Sequence, residues 1–166
     1  MKYLNTTTIM IFLFFLSSCS TGGNHPDFEA NVETIKTLFE LQASESDPQA
    51  QLDLMHEDLE WQPPFFGSEP ISKSQYSDYS KSWQDTMEDV VYTATNYLPG
   101  VNSETGVLDG SVRSYGTWTG VHSETGKSWE LSSYHTFDFK DGLVISGGDY
   151  FDAGGFLASL APSEEE

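Results

Sequence analysis

His135 and Asp149 are the side chains whose types and spacing could do proton chemistry in this sequence. An imidazole and a carboxylate fourteen residues apart meet only if the chain between them doubles back, and it reads as a hairpin. Trp129, Leu131, Ser133, His135, Phe137 and Phe139 alternate with Glu130, Ser132, Tyr134, Thr136, Asp138 and Lys140. The first set is the apolar one, so His135 points inward among aromatics. A three-residue loop at Lys140, Asp141 and Gly142, with Gly142 left-handed, pairs Phe139 with Leu143. Leu143, Ile145, Gly147, Asp149 and Phe151 then face inward too. Asp149 lies diagonally across from His135, roughly 7–8 Å between backbones. A two-residue Asp-Gly loop would bring Val144, Gly148 and Tyr150 to that face instead, since one residue of slip inverts a strand. The three-residue loop is preferred because it buries Ile145 and Phe151 beside Phe137.

Such a pair could work as general acid and base. Two plainer readings stand beside it. His135 could be a buried histidine satisfied by a serine hydroxyl or a carbonyl, and Asp149 a cap on nearby backbone amides. Other clusters carry less. His56-Glu57-Asp58, placed at the end of a helix, do not converge on one point. There is no His-Glu-x-x-His, calcium loop or phosphate-binding glycine loop, so neither metal nor cofactor is implied. No serine has the turn context of a nucleophile elbow. The Gly-Gly pairs at 147–148 and 154–155 suit sheet curvature and a chain turn.

The elements that must position the pair can be read in order. Residues 27–45 form a helix, with Phe28, Val32, Ile35 and Phe39 spaced four, three and four, and Leu38 widening the stripe. Asp47-Pro48 opens a short second helix over 49–56, with Leu52 and Met55 as its buried side. Residues 59–62 are a brief strand stopped by Pro63-Pro64. Ser72-Lys73-Ser74-Gln75 is a capping-box pattern that starts a third helix, with Tyr76, Tyr79 and Trp83 along one side. Strands follow at 90–98 and at about 106–119. In the second of these, Val112, Ser114, Gly116 and Trp118 compete with Arg113, Tyr115 and Thr117 for the inner face. A short helix over 154–160 closes the domain. Helices first and long strands after imply an α+β domain in which a curved antiparallel sheet wraps three N-terminal helices.

The totals bound the partners. The 166 residues suffice for one domain, and 7 basic against 26 acidic residues repel nucleic acid and anionic lipid headgroups. Aromatics at 14% suit a packed core. Residues 1–18 have the make-up of a signal peptide: Lys2, an apolar run from Ile9 to Leu16, then Leu16-Ser17-Ser18 before Cys19. This ending resembles a bacterial lipobox, which implies that Cys19 is lipidated. Residues 19–26 then form a tether, 27–160 the domain and 161–166 an acidic tail. The expected home is the cell envelope, on a lipid anchor.

The order of elements, Gly-Ser-Glu-Pro at 67–70, and Phe-Lys-Asp-Gly-Leu-Val followed by Asp-Tyr-Phe-Asp resemble the SnoaL-like branch of the nuclear-transport-factor-2-like superfamily. The resemblance covers roughly residues 27–160. It implies a cone-shaped cystatin-like roll with a pocket between sheet and helices. Phe39, Trp61, Trp83, Tyr115, Trp118, Ser133 and Phe137 are the lining expected from it. Ketosteroid isomerases of this superfamily need a carboxylate base near Gln62, Pro63 or Pro64, where none stands, a tyrosine near Phe39, and an acid where His135 lies. Limonene-epoxide hydrolases share the Asp149-Tyr150-Phe151-Asp152 ending, but their Arg-x-Asp pair is here Arg113-Ser114-Tyr115. SnoaL-type cyclases need chiefly one pocket acid, which Asp149 with His135 could supply. The expectations are therefore a binding module for a small, largely apolar molecule, an enzyme of the cyclase, isomerase or hydrolase kind, or a homodimeric scaffold.

Overall fold

The computed structural model describes residues 23–44 and 48–162. The leader with Cys19, the cap Asp47 and residues 163–166 of the tail lie outside them. Four helices and six strands follow in the order α1 (Phe28–Ala43), α2 (Pro48–Leu52), β1 (Met55–Gln62), β2 (Ile71–Ser72), α3 (Lys73–Gln84), β3 (Met87–Val101), β4 (Leu108–His122), β5 (Ser128–Lys140), β6 (Leu143–Tyr150) and α4 (Ala153–Leu160). The strands make one curved, unclosed sheet, ordered β2-β1-β6-β5-β4-β3, with the helices on its concave side. Neighbours run antiparallel except β1 and β6, which are parallel.

The apolar stripe of α1 drives this packing. Phe28, Val32, Ile35, Leu38 and Phe39 are all buried, and the helix lies against β3 and β4. A fully buried side chain of this size contributes about 1.5–3 kcal/mol, so the stripe outweighs any local propensity. At the start of α3 the Gln75 side-chain oxygen accepts the Ser72 N–H at 2.9 Å. This cap fixes the helix so that Tyr76 is fully buried and Tyr79 and Trp83 follow on the same side. Asp152 caps α4 by accepting from the Gly155 N–H at 2.9 Å.

Two elements differ from the sequence reading. The second helix stops at Leu52, and Met55 begins a strand, so His56-Glu57-Asp58 lie on β1. Val144 donates its N–H to the Leu54 carbonyl at 3.0 Å, and pairing with β6 overrides the short helical pattern. β3 also runs on through Pro99-Gly100 rather than ending at Leu98. It is the edge strand of the sheet, where a proline interrupts no second ladder.

The hairpin that carries His135 and Asp149 closes through a two-residue turn, not three. Lys140 pairs with Leu143, and Asp141 and Gly142 have φ of 52° and 78°, the conformation of a type I′ turn. Val144 is therefore buried. The ladder then shifts between Asp138 and Phe139, where Ile145 is an extra residue, and the bulge restores Gly147 and Asp149 to the inner face. His135 consequently pairs directly with Asp149 instead of diagonally.

Candidate functional site

His135 is 3% and Asp149 8% exposed, on adjacent strands at the concave face. Their contact is short: His135 Nδ1 to Asp149 Oδ1 is 2.7 Å. The other carboxylate oxygen accepts from the Tyr79 hydroxyl at 2.6 Å and from the Trp61 indole N–H at 3.1 Å. Helix α3 and strand β1 thus both hold the carboxylate. Gly147 makes this possible, because a Cβ there would stand 2.6 Å from the Trp61 ring.

The tautomer of His135 follows from its partners. Trp118 donates its indole N–H to His135 Nε2 at 3.0 Å, and indole nitrogen can only donate. Nε2 is therefore the acceptor, and Nδ1 carries the proton that Asp149 receives. Ser133 Oγ lies 2.8 Å from the same Nε2. Rings crowd it: Phe39, Tyr92 and Trp118 have centroids 5.2, 5.7 and 6.1 Å from that of His135. Burial pushes the Tyr79 phenol above its ordinary range, and the charge of Asp149 adds to the shift. Tyr76 is raised for the same two reasons, in the same order.

Beside this pair lies a cavity of about 100 Å³. His135, Asp149, Tyr79, Trp83 and Trp118 border it, and Trp129, Leu131, Phe151 and Phe156 complete an aromatic and aliphatic wall. Met87, Val90, Gln42, Ser80 and Gln84 form the remainder.

The residues singled out in the sequence fall into three groups. His135, Asp149, Trp83 and Trp118 border the cavity together. Phe39, Trp61, Phe137 and Ser133 stand behind it. Phe137 is fully buried core, Trp61 serves the carboxylate, and Ser133 and Phe39 contact the imidazole. Tyr115 is a correction. The inner face of β4 is Val112, Ser114, Gly116 and Trp118, which pair with Phe137, His135, Ser133 and Leu131. Tyr115 therefore points out, 42% exposed, and stacks on Tyr134 with ring centroids 4.6 Å apart.

Tyr79, Gln42, Trp129, Leu131, Phe151 and Phe156 join the cavity wall beyond the lining expected from the sequence. Alternation along β5 already put Trp129 and Leu131 inward, so that signal was present. Gln42 and Phe156 had none. Ser133, His135 and Asp149 do line up in the order of a nucleophilic triad. Ser133, however, sits mid-strand, lies outside the cavity wall and shares the Nε2 lone pair with Trp118. Its hydroxyl serves as a partner for the imidazole. Among the described residues no group of His, Cys, Asp and Glu is arranged to hold a metal ion.

No family model matches the sequence, and no curated protein is detectably similar to it. Solved structures are similar in fold. A candidate SnoaL-like polyketide cyclase from Jannaschia superposes with a TM-score of 0.71 at 16% identity, covering 85% of this chain and 99% of that one. A candidate isomerase from Bacillus subtilis gives 0.67 at 18% identity, covering 84% and 100%. A protein of ketosteroid isomerase-like fold from Catenulispora acidiphila, in complex with trimethylamine, gives 0.64 at 15% identity, covering 81% and 98%. The fold is thus the nuclear-transport-factor-2-like one, a curved, unclosed six-stranded sheet with helices at the N-terminal side.

Proposed function

We propose that this chain is a SnoaL-like domain, held at a membrane of the cell envelope through lipidated Cys19, that binds a small, largely apolar molecule in the cavity beside His135 and Asp149. One observation carries the reading: a cavity walled by aromatic and aliphatic side chains, with its charged group confined to one wall. That is the usual make-up of a small-molecule site. Three tryptophans border it, so binding is read from their fluorescence. Residues 20–166, purified and titrated with a broad metabolite library, should yield at least one compound whose quenching is lost in Leu131→Trp, which fills the cavity. A protein that is ligand-free by native mass spectrometry and quenched by no compound would overturn the proposal.

The hydrogen-bond pattern of His135 favours a second reading, acid–base catalysis of the cyclase, isomerase or hydrolase kind. An imidazole with Nδ1–H on a carboxylate presents Nε2 as a base once Trp118 or Ser133 yields its place to a substrate. Turnover that survives both Asp149→Asn and His135→Ala removes this reading. A homodimer through the outer sheet face is supported by a ladder of Tyr115, Tyr134 and Tyr150 in register across three strands. Light scattering that finds a monomer at high concentration argues against it.

A further inference from the structure

The outer face of the sheet holds three phenols that the cavity does not use. Tyr115, Tyr134 and Tyr150 stand directly opposite one another on β4, β5 and β6. The rings of Tyr115 and Tyr134 have centroids 4.6 Å apart at an interplanar angle of 26°. Those of Tyr134 and Tyr150 are 5.6 Å apart at 35°. Directly opposed residues of an antiparallel pair bring their Cβ atoms within about 5 Å, so the strands themselves hold these rings together.

The three side chains are also open to reagents. Tyr115 is 42% and Tyr150 47% exposed, and Tyr134 is half-buried between them. Among the described residues none bonds to their hydroxyls. Tyr76, Tyr79 and Tyr92, by contrast, are bonded to Gln42, Asp149 and Ser114. Tyr76 and Tyr79 also form a ring pair, with centroids at 5.9 Å, but Tyr76 is fully buried and the Tyr79 hydroxyl is committed to Asp149.

A phenol that loses one electron and one proton becomes a phenoxyl radical, with spin on the ring carbons beside the oxygen. Two such radicals on neighbouring rings join through those carbons. The ring hydrogens then move to the oxygens, which restores both phenols and gives dityrosine. With hydrogen peroxide as the oxidant, acting through a one-electron peroxidase, two tyrosines and one peroxide yield dityrosine and two waters. Ring centroids in that product are little closer than those of Tyr115 and Tyr134 here, so the bond asks for rotation of exposed rings and little movement of the strands. The sequence has one cysteine, so no disulfide within the chain can tie these strands.

We propose that Tyr115 and Tyr134 are an oxidative cross-linking site, at which a peroxidase-type one-electron oxidant joins β4 to β5 through dityrosine. Tyr150 is the more distant alternative partner of the same central ring. The bond pins from outside the two strands that carry Trp118 and His135 within. It is independent of what the cavity binds.

Trypsin cuts after Arg113, Lys127 and Lys140, so the three tyrosines fall in three separate peptides. The full chain in detergent is treated with a plant peroxidase and limiting hydrogen peroxide. The band that runs as a single chain on a denaturing gel is then digested and mapped by mass spectrometry. The main product should be the linked peptides of Tyr115 and Tyr134, lighter than their sum by two hydrogens, with dityrosine fluorescence. Tyr134→Phe should lose that fluorescence, since it removes the ring common to both pairs, and Tyr115→Phe should move the link to Tyr150. Both variants keep an exposed ring in place, and circular dichroism matching the parent confirms their fold. A main product that joins two chains, or that involves any other tyrosine, overturns the proposal. So does fluorescence that survives Tyr134→Phe, or the lack of any in the parent.

Discussion

The Tyr79 hydroxyl and the Asp149 carboxylate meet at 2.6 Å, joining helix α3 to strand β6 across the concave face. Tyr79→Phe keeps the ring and deletes only this donor, leaving Oδ2 with Trp61 alone. The expected cost is about 1–3 kcal/mol, the usual price of an under-satisfied buried acceptor. Urea denaturation reads the loss, and the ring-nitrogen signals of His135 should move with it. Unchanged stability would mean that Trp61 and His135 suffice to hold the carboxylate.

Gly147 makes a sharper point about Trp61. A methyl group in Gly147→Ala would press on the Thr136 carbonyl and stand 2.6 Å from the indole, so the ring must move. Overpacking of this kind costs about 1–3 kcal/mol. Near-ultraviolet circular dichroism should show Trp61 displaced, with His135 shifting as Asp149 loses a donor. A variant as stable as the parent, with an identical aromatic spectrum, would contradict the contact.

Alkaline pH should unfold the domain earlier than its charge alone suggests. Burial pushes the Tyr92 phenol up to about 12, partly offset by its hydrogen bond with Ser114, and raises Tyr76 and Tyr79 in the same direction. The folded state holds these protons more tightly than the unfolded chain does. Their stabilisation is therefore whole below pH 10 and is lost as pH rises from 10.0 through about 12 for Tyr92. The urea midpoint should fall across that window, and less so in Tyr92→Phe. A flat midpoint would refute the assignment.

Under the proposed function, Cys19 is what places the protein. Lipidation there should carry the full-length product into the detergent phase, and Cys19→Ala should leave it unprocessed by the lipoprotein pathway. Neither changes the fold. Mass spectrometry of the mature amino terminus settles the matter: an unmodified terminus at any other residue sinks the lipoprotein reading.

Much of the fold was legible because its signals are periodic. The stripe of α1, the Ser72–Gln75 cap and the alternation of β5 each specify one arrangement, and each took it. What was not legible depended on partners distant in sequence. The face of β4 is chosen by its pairing with β5, since Trp118 and Tyr115 fit an inner position equally well when read alone. The start of β1 is chosen by β6. The turn after Lys140 is one residue shorter than the buried pattern suggests, and the bulge at Ile145 takes up that residue again. Asp149 came out on the inner face through two local differences of opposite effect. Gln42 reaches the cavity only because α1 and α3 lie side by side, with Gln84 donating to the carbonyls of Leu41 and Ser44.

Helix α1 also gives the domain a front and a back. Its first turn is tied to the start of β4, where Asn31 donates to the Gly110 carbonyl at 2.9 Å. Its last turn brings Gln42 to the cavity. Asn31 and Gln42 lie about 16 Å apart along the helix. If Cys19 anchors the chain as proposed, the attachment enters at the end of the helix away from the cavity, so the cavity faces off the membrane.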